Sequence, residues 1–339
     1  MAPTCFGADG LFGGGERYPL ELARALACEV DCELVTFGRS ARTLCEPGGL
    51  RVRVLRPWVR LRGHPVHPVH PALPALLAGA DVVHTHHMRS APSRVAAVAS
   101  RLAGRPVMVT DHGLGGGGWC GMLPRLFDRF LVVSRFSATT MGVPPDRTVI
   151  VYGGADPARY HPPAWGGERE GVLFVGRLTP HKGIDVLIRA VPPDVPLTVV
   201  GTGGHDPRPP ESGYPGLLSR LARDRRVRFV SRADDAEVAA LYRQAAVVCL
   251  PSVRVTCYGR SVAISELLGL AEVVEHGETG FHTEPGDVTE LRERIATVLA
   301  DRRLARRLGD NARQLALERF TWQACAQRCL AAYPPAGAR

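Results

Sequence analysis

Hydrophobic residues along this chain alternate between two spacings. In ERYPLELARALA (16–27) apolar positions fall three and four apart, which predicts an amphipathic helix, and CELVTF (32–37) follows as an apolar run of strand length. RVRVLR (51–56) alternates apolar and basic residues as a half-buried strand does. HPVHPVHPALPALLAG (64–79) starts as a proline-spaced extended segment and ends with helical periodicity. DVVHTHH (81–87), PVMVTDHG (106–113) and RFLVVS (129–134) predict strands, and PSRVAAVASRLAG (92–104) predicts a helix closed by glycine. Strands separated by helices imply a parallel sheet covered on both faces.

VYGGADPARYHPPAWGGERE (151–170) interrupts this rhythm with glycine and proline and reads as a linker. The rhythm then resumes. GVLFVG (171–176), PLTVVG (196–201), VRFVSR (227–232) and VVCLPS (247–252) predict strands, interleaved with helices at DVLIRAV (185–191), LLSRLARD (217–224) and DAEVAALYRQA (235–245). ELRERIATVLAD, RRLARRLGDNARQLALERF and WQACAQRCLAAY close the chain as helices. The expected fold class is α/β, with two facing, doubly wound Rossmann-like domains that bind ligands where strand carboxyl ends meet.

Composition narrows the functional classes. A length of 339 residues suits two domains, and no apolar run is long enough to span a bilayer. The start, MAPTCFGADGLFGGGE, lacks the basic residues and apolar stretch of a secretory signal. Nine cysteines form an odd set without a CxxC pair, which points to a reducing cytoplasm. The net charge of +9 comes from arginines scattered along the chain, with Lys182 the only lysine. No nucleic-acid-reading motif accompanies that charge, so it points to phosphorylated ligands or to peripheral contact with an anionic membrane face.

Candidate chemistry gathers at strand exits. GRLTPHKG (176–183) links a strand to a helix and carries Arg177 and Lys182, a planar fork and a point charge suited to a diphosphate. The alternative for this pair is two solvated loop cations. VTDHG (109–113) brings Asp111 and His112 to another strand exit, where the histidine is either a hydrogen-bonding partner for a hydroxyl or a satisfied loop residue. FGGGERY (12–18) is a glycine-rich turn before a helix. Two histidine sets, 84/86/87 and 64/67/70, read as structural rather than metal-binding, the first on a strand and the second on a proline-spaced run. GTGG (201–204) lacks the full dinucleotide fingerprint.

In their order and spacing, GGGERYPLELARALA, DVVHTHH, VTDHG, FLVVSRFSA, VIVYGGAD, VLFVGRLTPHKGIDVLI, LTVVGTG, VVCLPS and AEVVEHGETGFHTEPGD resemble glycosyltransferase family 4. These are retaining, nucleotide-sugar-dependent enzymes of the GT-B fold, also called glycosyl transferases group 1. The resemblance implies an acceptor-side domain over 1–155, a nucleotide-sugar domain over 156–318, and a terminal helix over 319–339 that packs back on the first domain. It implies a nucleotide-sugar donor and a hydroxyl acceptor that is a lipid, a polysaccharide or a small molecule. It implies no obligatory metal or cofactor, and a cytoplasmic protein, peripheral at the inner membrane face.

The same resemblance assigns residues. Arg177 and Lys182 match the pair that holds the donor diphosphate, and His112 matches the histidine near the reacting sugar. Glu266 and Gly269, in Glu-Leu-Leu-Gly-Leu, match the phrase that contacts the sugar, with Leu270 beside them. Gly14 and Gly15 match the glycine loop, and Asp111, Gly176, Gly201 and Gly203 complete the substrate-contacting set.

Two departures stand out. The family signature pairs two glutamates eight positions apart, and Val274 stands where the second falls after Glu266. An alternative alignment makes Glu266 the second glutamate and puts Tyr258 in place of the first. A parallel crossover needs a dozen or more residues, so the expectation is a deletion of about twenty after Leu270, with part of the second sheet missing. The first strand also looks trimmed or missing, which would weaken the centre of the first sheet. The leading reading is a retaining hexosyltransferase-type enzyme; the alternative is an impaired relative acting as a binding or scaffold protein.

Overall fold

The computed structural model describes residues 1–7, 13–112, 122–162, 168–202, 212–231, 233–252, 261–264 and 272–334. The chain divides into two compact units, Met1–Gly154 with Phe320–Arg339, and Ala155–Arg319. Among the described residues, no helix is long and apolar enough to cross a membrane.

In the first unit, β1 (Glu33–Phe37) pairs in parallel with β3 (Arg51–Leu55), and β2 (Arg42–Cys45) lies antiparallel along the other edge of β3. β4 (Val59–Arg60) and β5 (Pro68–Val69) form a separate small hairpin. β6 (Val83–His86), β7 (Val107–Asp111), β8 (Arg129–Val132) and β9 (Thr148–Ile150) make a four-stranded parallel sheet. All five residues of β7 are buried, as expected of a central strand covered on both faces. α1 (Gly14–Ala27), α2 (Leu73–Leu77), α3 (Ala91–Leu102) and α4 (Arg135–Met141) complete the N-terminal part. The core packs Val107, Val109, Phe130 and Val132 against Ala96, Ala97 and Phe127.

Among the described residues before α1 no regular strand forms, yet the gap expected at the sheet centre is filled. Ala2 and Cys5 donate their backbone N–H groups to Val35 and Phe37 of β1, while the Met1 carbonyl accepts from His86 N of β6. Residues 1–5 therefore lie between the two sheets, bonded on both sides.

The second unit holds β10 (Val172–Val175), β11 (Leu197–Val200), β12 (Val227–Val230), β13 (Val247–Leu250), β14 (Ser261–Ile264) and β15 (Phe281–Thr283). Its sheet runs in the order β12, β11, β10, β13, β14, β15. The first four are parallel, and β14 and β15 add antiparallel pairings. SVAI is a strand because tertiary pairing to β13 and β15 decides it. Residues 253–260 and 265–271, where the deletion and the glutamate phrase are expected, lie outside the described residues.

Helices α5 (Ile184–Ala190), α6 (Tyr214–Leu221), α7 (Asp235–Gln244), α8 (Val288–Ala300) and α9 (Arg302–Arg319) follow the predicted pattern. A capping box at Asp234 and Glu237 fixes the start of α7. Val172, Phe174, Leu197 and Val199 form the core with Ile184, Leu187 and Ile295. The last helix, α10 (Trp322–Ala332), belongs to the first unit and packs on α1.

Candidate functional site

Two strand-exit clusters carry the candidate chemistry, one in each unit. In the second unit the sheet order changes direction between β10 and β13, and the turn leaving β10 is GRLTPHKG. Such switch points are where open α/β sheets bind ligands. Gly201, at φ +150°, brings the exit of β11 against that turn: a Cβ there would lie 1.8 Å from the Gly176 carbonyl oxygen. Only glycine permits this approach. Leu178 N–H donates to Thr202 O at 2.8 Å, which ties the two exits together beyond the glycines. Gly183, left-handed at φ 67°, ends the short turn Pro180–Lys182 and starts α5. Arg177 is exposed and Lys182 half-buried, so both cations stand on a turn whose backbone is fixed by glycine contacts. Gly203, Glu266, Gly269 and Leu270 lie outside the described residues.

Val274 is buried, and its carbonyl accepts from His282 Nε2 at 2.9 Å. The following phrase EHGETG is a tight turn, with Glu275 N–H donating to the Thr279 hydroxyl at 2.8 Å and Gly277 at φ 81°.

In the first unit His112 follows β7 in a cluster of rings. Tyr18 lies edge-on to it with centroids 5.0 Å apart, and His87 lies 4.9 Å away. His87 is one of the non-glycine residues with positive φ, 62°, held by its N–H bond to Thr110 O. Asp111 is buried, and its carboxylate accepts from Met88 N at 2.9 Å, closing the same turn. A Cβ on Gly15 would come within 3.2 Å of the His87 ring, so the glycine turn, His87 and His112 are contiguous. Gly14 has open space around its missing Cβ. Sequence reasoning passed over Tyr18; the available signal is its place one helical turn beyond Gly15.

Burial sets the protonation of this cluster. Desolvation, with the neighbouring His87 and His84 as lesser causes, pushes the His112 pKa well below the ordinary histidine value. His86 is lowered in the same way, and His84 falls to about 3. All three are neutral imidazoles at pH 7. His84 and His86 stack at 4.8 Å on one face of β6. Among the described residues, no group of His, Cys, Asp or Glu side chains is arranged to hold a metal ion.

Both halves of the chain match known families. Residues 12–159 match Glycosyltransferase Family 4, and residues 162–315 match Glycosyl transferases group 1. The chain belongs to glycosyltransferase family 4.

Its similarity extends to curated members and to solved structures. It is 31% identical over 223 residues to D-inositol 3-phosphate glycosyltransferase of Corynebacterium efficiens, covering 57% of this chain and 52% of that protein. It is 32% identical over 199 residues to glycogen synthase of Mycobacterium tuberculosis, covering 52% and 46%. The chain thus spans about half the length of the curated relatives it matches. Anabaena Alr3699/HepE, solved in complex with UDP and glucose, superimposes with a TM-score of 0.71 at 21% identity, covering 96% of this chain and 97% of that one. Sucrose-phosphate synthase from Thermosynechococcus elongatus gives 0.71 at 21% identity, covering 98% and 96%. This family 4 chain has the GT-B fold.

Proposed function

We propose that this chain transfers a hexose from a nucleoside-diphosphate sugar to a hydroxyl acceptor with retention at the anomeric carbon. The observation that carries the reading is the β10 exit, where Arg177 and Lys182 ride on a turn held by the Gly176–Gly201 approach. Complexes of Anabaena Alr3699/HepE with UDP-glucose, and with UDP and glucose, support a nucleotide-sugar donor.

In this reading the guanidinium and ammonium neutralise charge that collects on the departing diphosphate, which lowers the barrier more than it tightens the ground state. His112 meets the sugar. As a neutral imidazole it hydrogen-bonds a hydroxyl without repelling the positive charge that develops at the anomeric carbon. Glu266 contacts the sugar, while Gly14, Gly15 and Gly203 let backbone approach the donor. No metal is required by this scheme.

The test is calorimetric titration with UDP- and GDP-sugars, followed by an assay of donor hydrolysis and transfer. Saturable binding with turnover supports the reading, and absence of donor binding overturns it. Binding without turnover would favour a binding relative, the second reading, which the buried Val274 at the expected glutamate position favours.

A further inference from the structure

The hairpin of β4 and β5 projects side chains that nothing in the reaction uses. Trp58 is 79% exposed, and Val59 and Leu61 are each 49% exposed, within a span of four residues. The hairpin is ordered: Trp58 N–H donates to Val69 O and Leu61 N–H to His67 O, both at 2.9 Å. At its tip Arg62 and Gly63 take positive φ, 55° and 66°. Its turn end is anchored where Ala91 N–H at the start of α3 donates to His67 Nδ1 at 3.1 Å. Three large apolar groups are therefore fixed in water rather than left on a floppy loop. Scattered single exposed apolar residues are ordinary, but three within four positions of one hydrogen-bonded ribbon are not.

The surrounding charge says what would cover them. Between Glu46 and Asp81 there is no acidic residue, while Arg51, Arg53, Arg56, Arg60 and Arg62 fall in that span. Arg53 is paired with Glu33 at 2.6 Å, and Arg56, Arg60 and Arg62 are exposed. At the turn end the His67 pKa is lowered by burial first, then by His64, Arg94 and Arg62. Apolar side chains between arginines fit a surface that is apolar inside and phosphate-lined outside. A nucleic acid would supply the phosphates, but it has no medium for Val59 and Leu61.

We propose that this hairpin docks the protein on an anionic phospholipid bilayer. Trp58, Val59 and Leu61 enter the headgroup region, and Arg56, Arg60 and Arg62 bind lipid phosphates. This inference is independent of the glycosyl-transfer reading.

The test uses the full chain in flotation assays with phosphatidylcholine vesicles, with and without phosphatidylglycerol. Binding is expected only with phosphatidylglycerol and is expected to weaken at high salt. Replacing Arg60 and Arg62 together by serine should lower partitioning by roughly 25-fold, about fivefold for each charge. Brominated lipid should quench the wild-type tryptophan emission, with that quenching lost in Trp58→Phe. These side chains lie outside the core, so circular dichroism of the variants should match the parent. Unchanged partitioning of the double variant, or no binding to anionic vesicles, overturns the proposal. So does preferential binding to single-stranded oligonucleotide, or hairpin-dependent dimerisation by sedimentation without vesicle binding.

Discussion

The His84 ring bridges Tyr333 and Thr110: Nδ1 lies 2.7 Å from the tyrosine hydroxyl, and Nε2 lies 2.7 Å from the threonine hydroxyl. A residue just past α10 thereby braces β6 against β7, one position before Asp111 and two before His112. Tyr18 makes a second tie between α1 and α10, with its hydroxyl 3.3 Å from Cys325 Sγ and its ring 5.3 Å from Trp322.

Removing the Tyr333 hydroxyl leaves a histidine nitrogen without its partner in a desolvated setting. Tyr333→Phe is expected to destabilise the protein by about 1–2 kcal/mol, read from the urea midpoint. A midpoint equal to wild type would show that the bridge contributes nothing.

The neutral histidines make stability depend on acid. His84, His86 and His112 have folded pKa values below 6.5, whereas the unfolded chain titrates near that ordinary value. Below 6.5 the unfolded state takes up protons that the native state refuses, so stability is intact above that pH and declines beneath it. For His84 the decline continues to about 3. Each histidine contributes a slope of about 1.4 kcal/mol per pH unit within its window. Denaturant titrations at neutral and mildly acid pH should show this loss, and a flat profile would contradict the neutral assignment.

Two glycines separate fold from binding. Gly201→Ala forces a Cβ into the Gly176 carbonyl at a strained φ and is expected to cost about 3 kcal/mol or prevent folding. Gly14→Ala meets open space in the first turn of α1 and should leave the melting temperature unchanged or slightly raised. If Gly14 lets backbone approach the donor, that same variant loses donor affinity in calorimetry while staying folded.

Lys182→Ala and Arg177→Ala should each weaken UDP-sugar binding by about 10- to 100-fold, the range of a charge-assisted hydrogen bond. Neither side chain is in the core, so thermal unfolding without ligand should be close to wild type. Full transfer activity in Lys182→Ala would remove that lysine from the mechanism.

The sequence by itself determined the α/β class and the order of most elements, because alternation in RVRVL and helical spacing in ERYPLELARALA are local facts. It also marked the β10 exit, since a glycine turn with two cations between a strand and a helix is visible in one dimension. What only the tertiary structure decided depends on partners distant in sequence. MAPTC has little strand character, yet backbone bonds to β1 and β6 hold it in the sheet centre. SVAI becomes a strand by pairing with β13 and β15, which its own residues do not specify. The neutrality of His84, His86 and His112 comes from enclosure, with Tyr333 reaching His84 from the far end of the chain. Periodicity records which face of an element is buried; it does not record what covers that face, and desolvation and pairing depend on the cover.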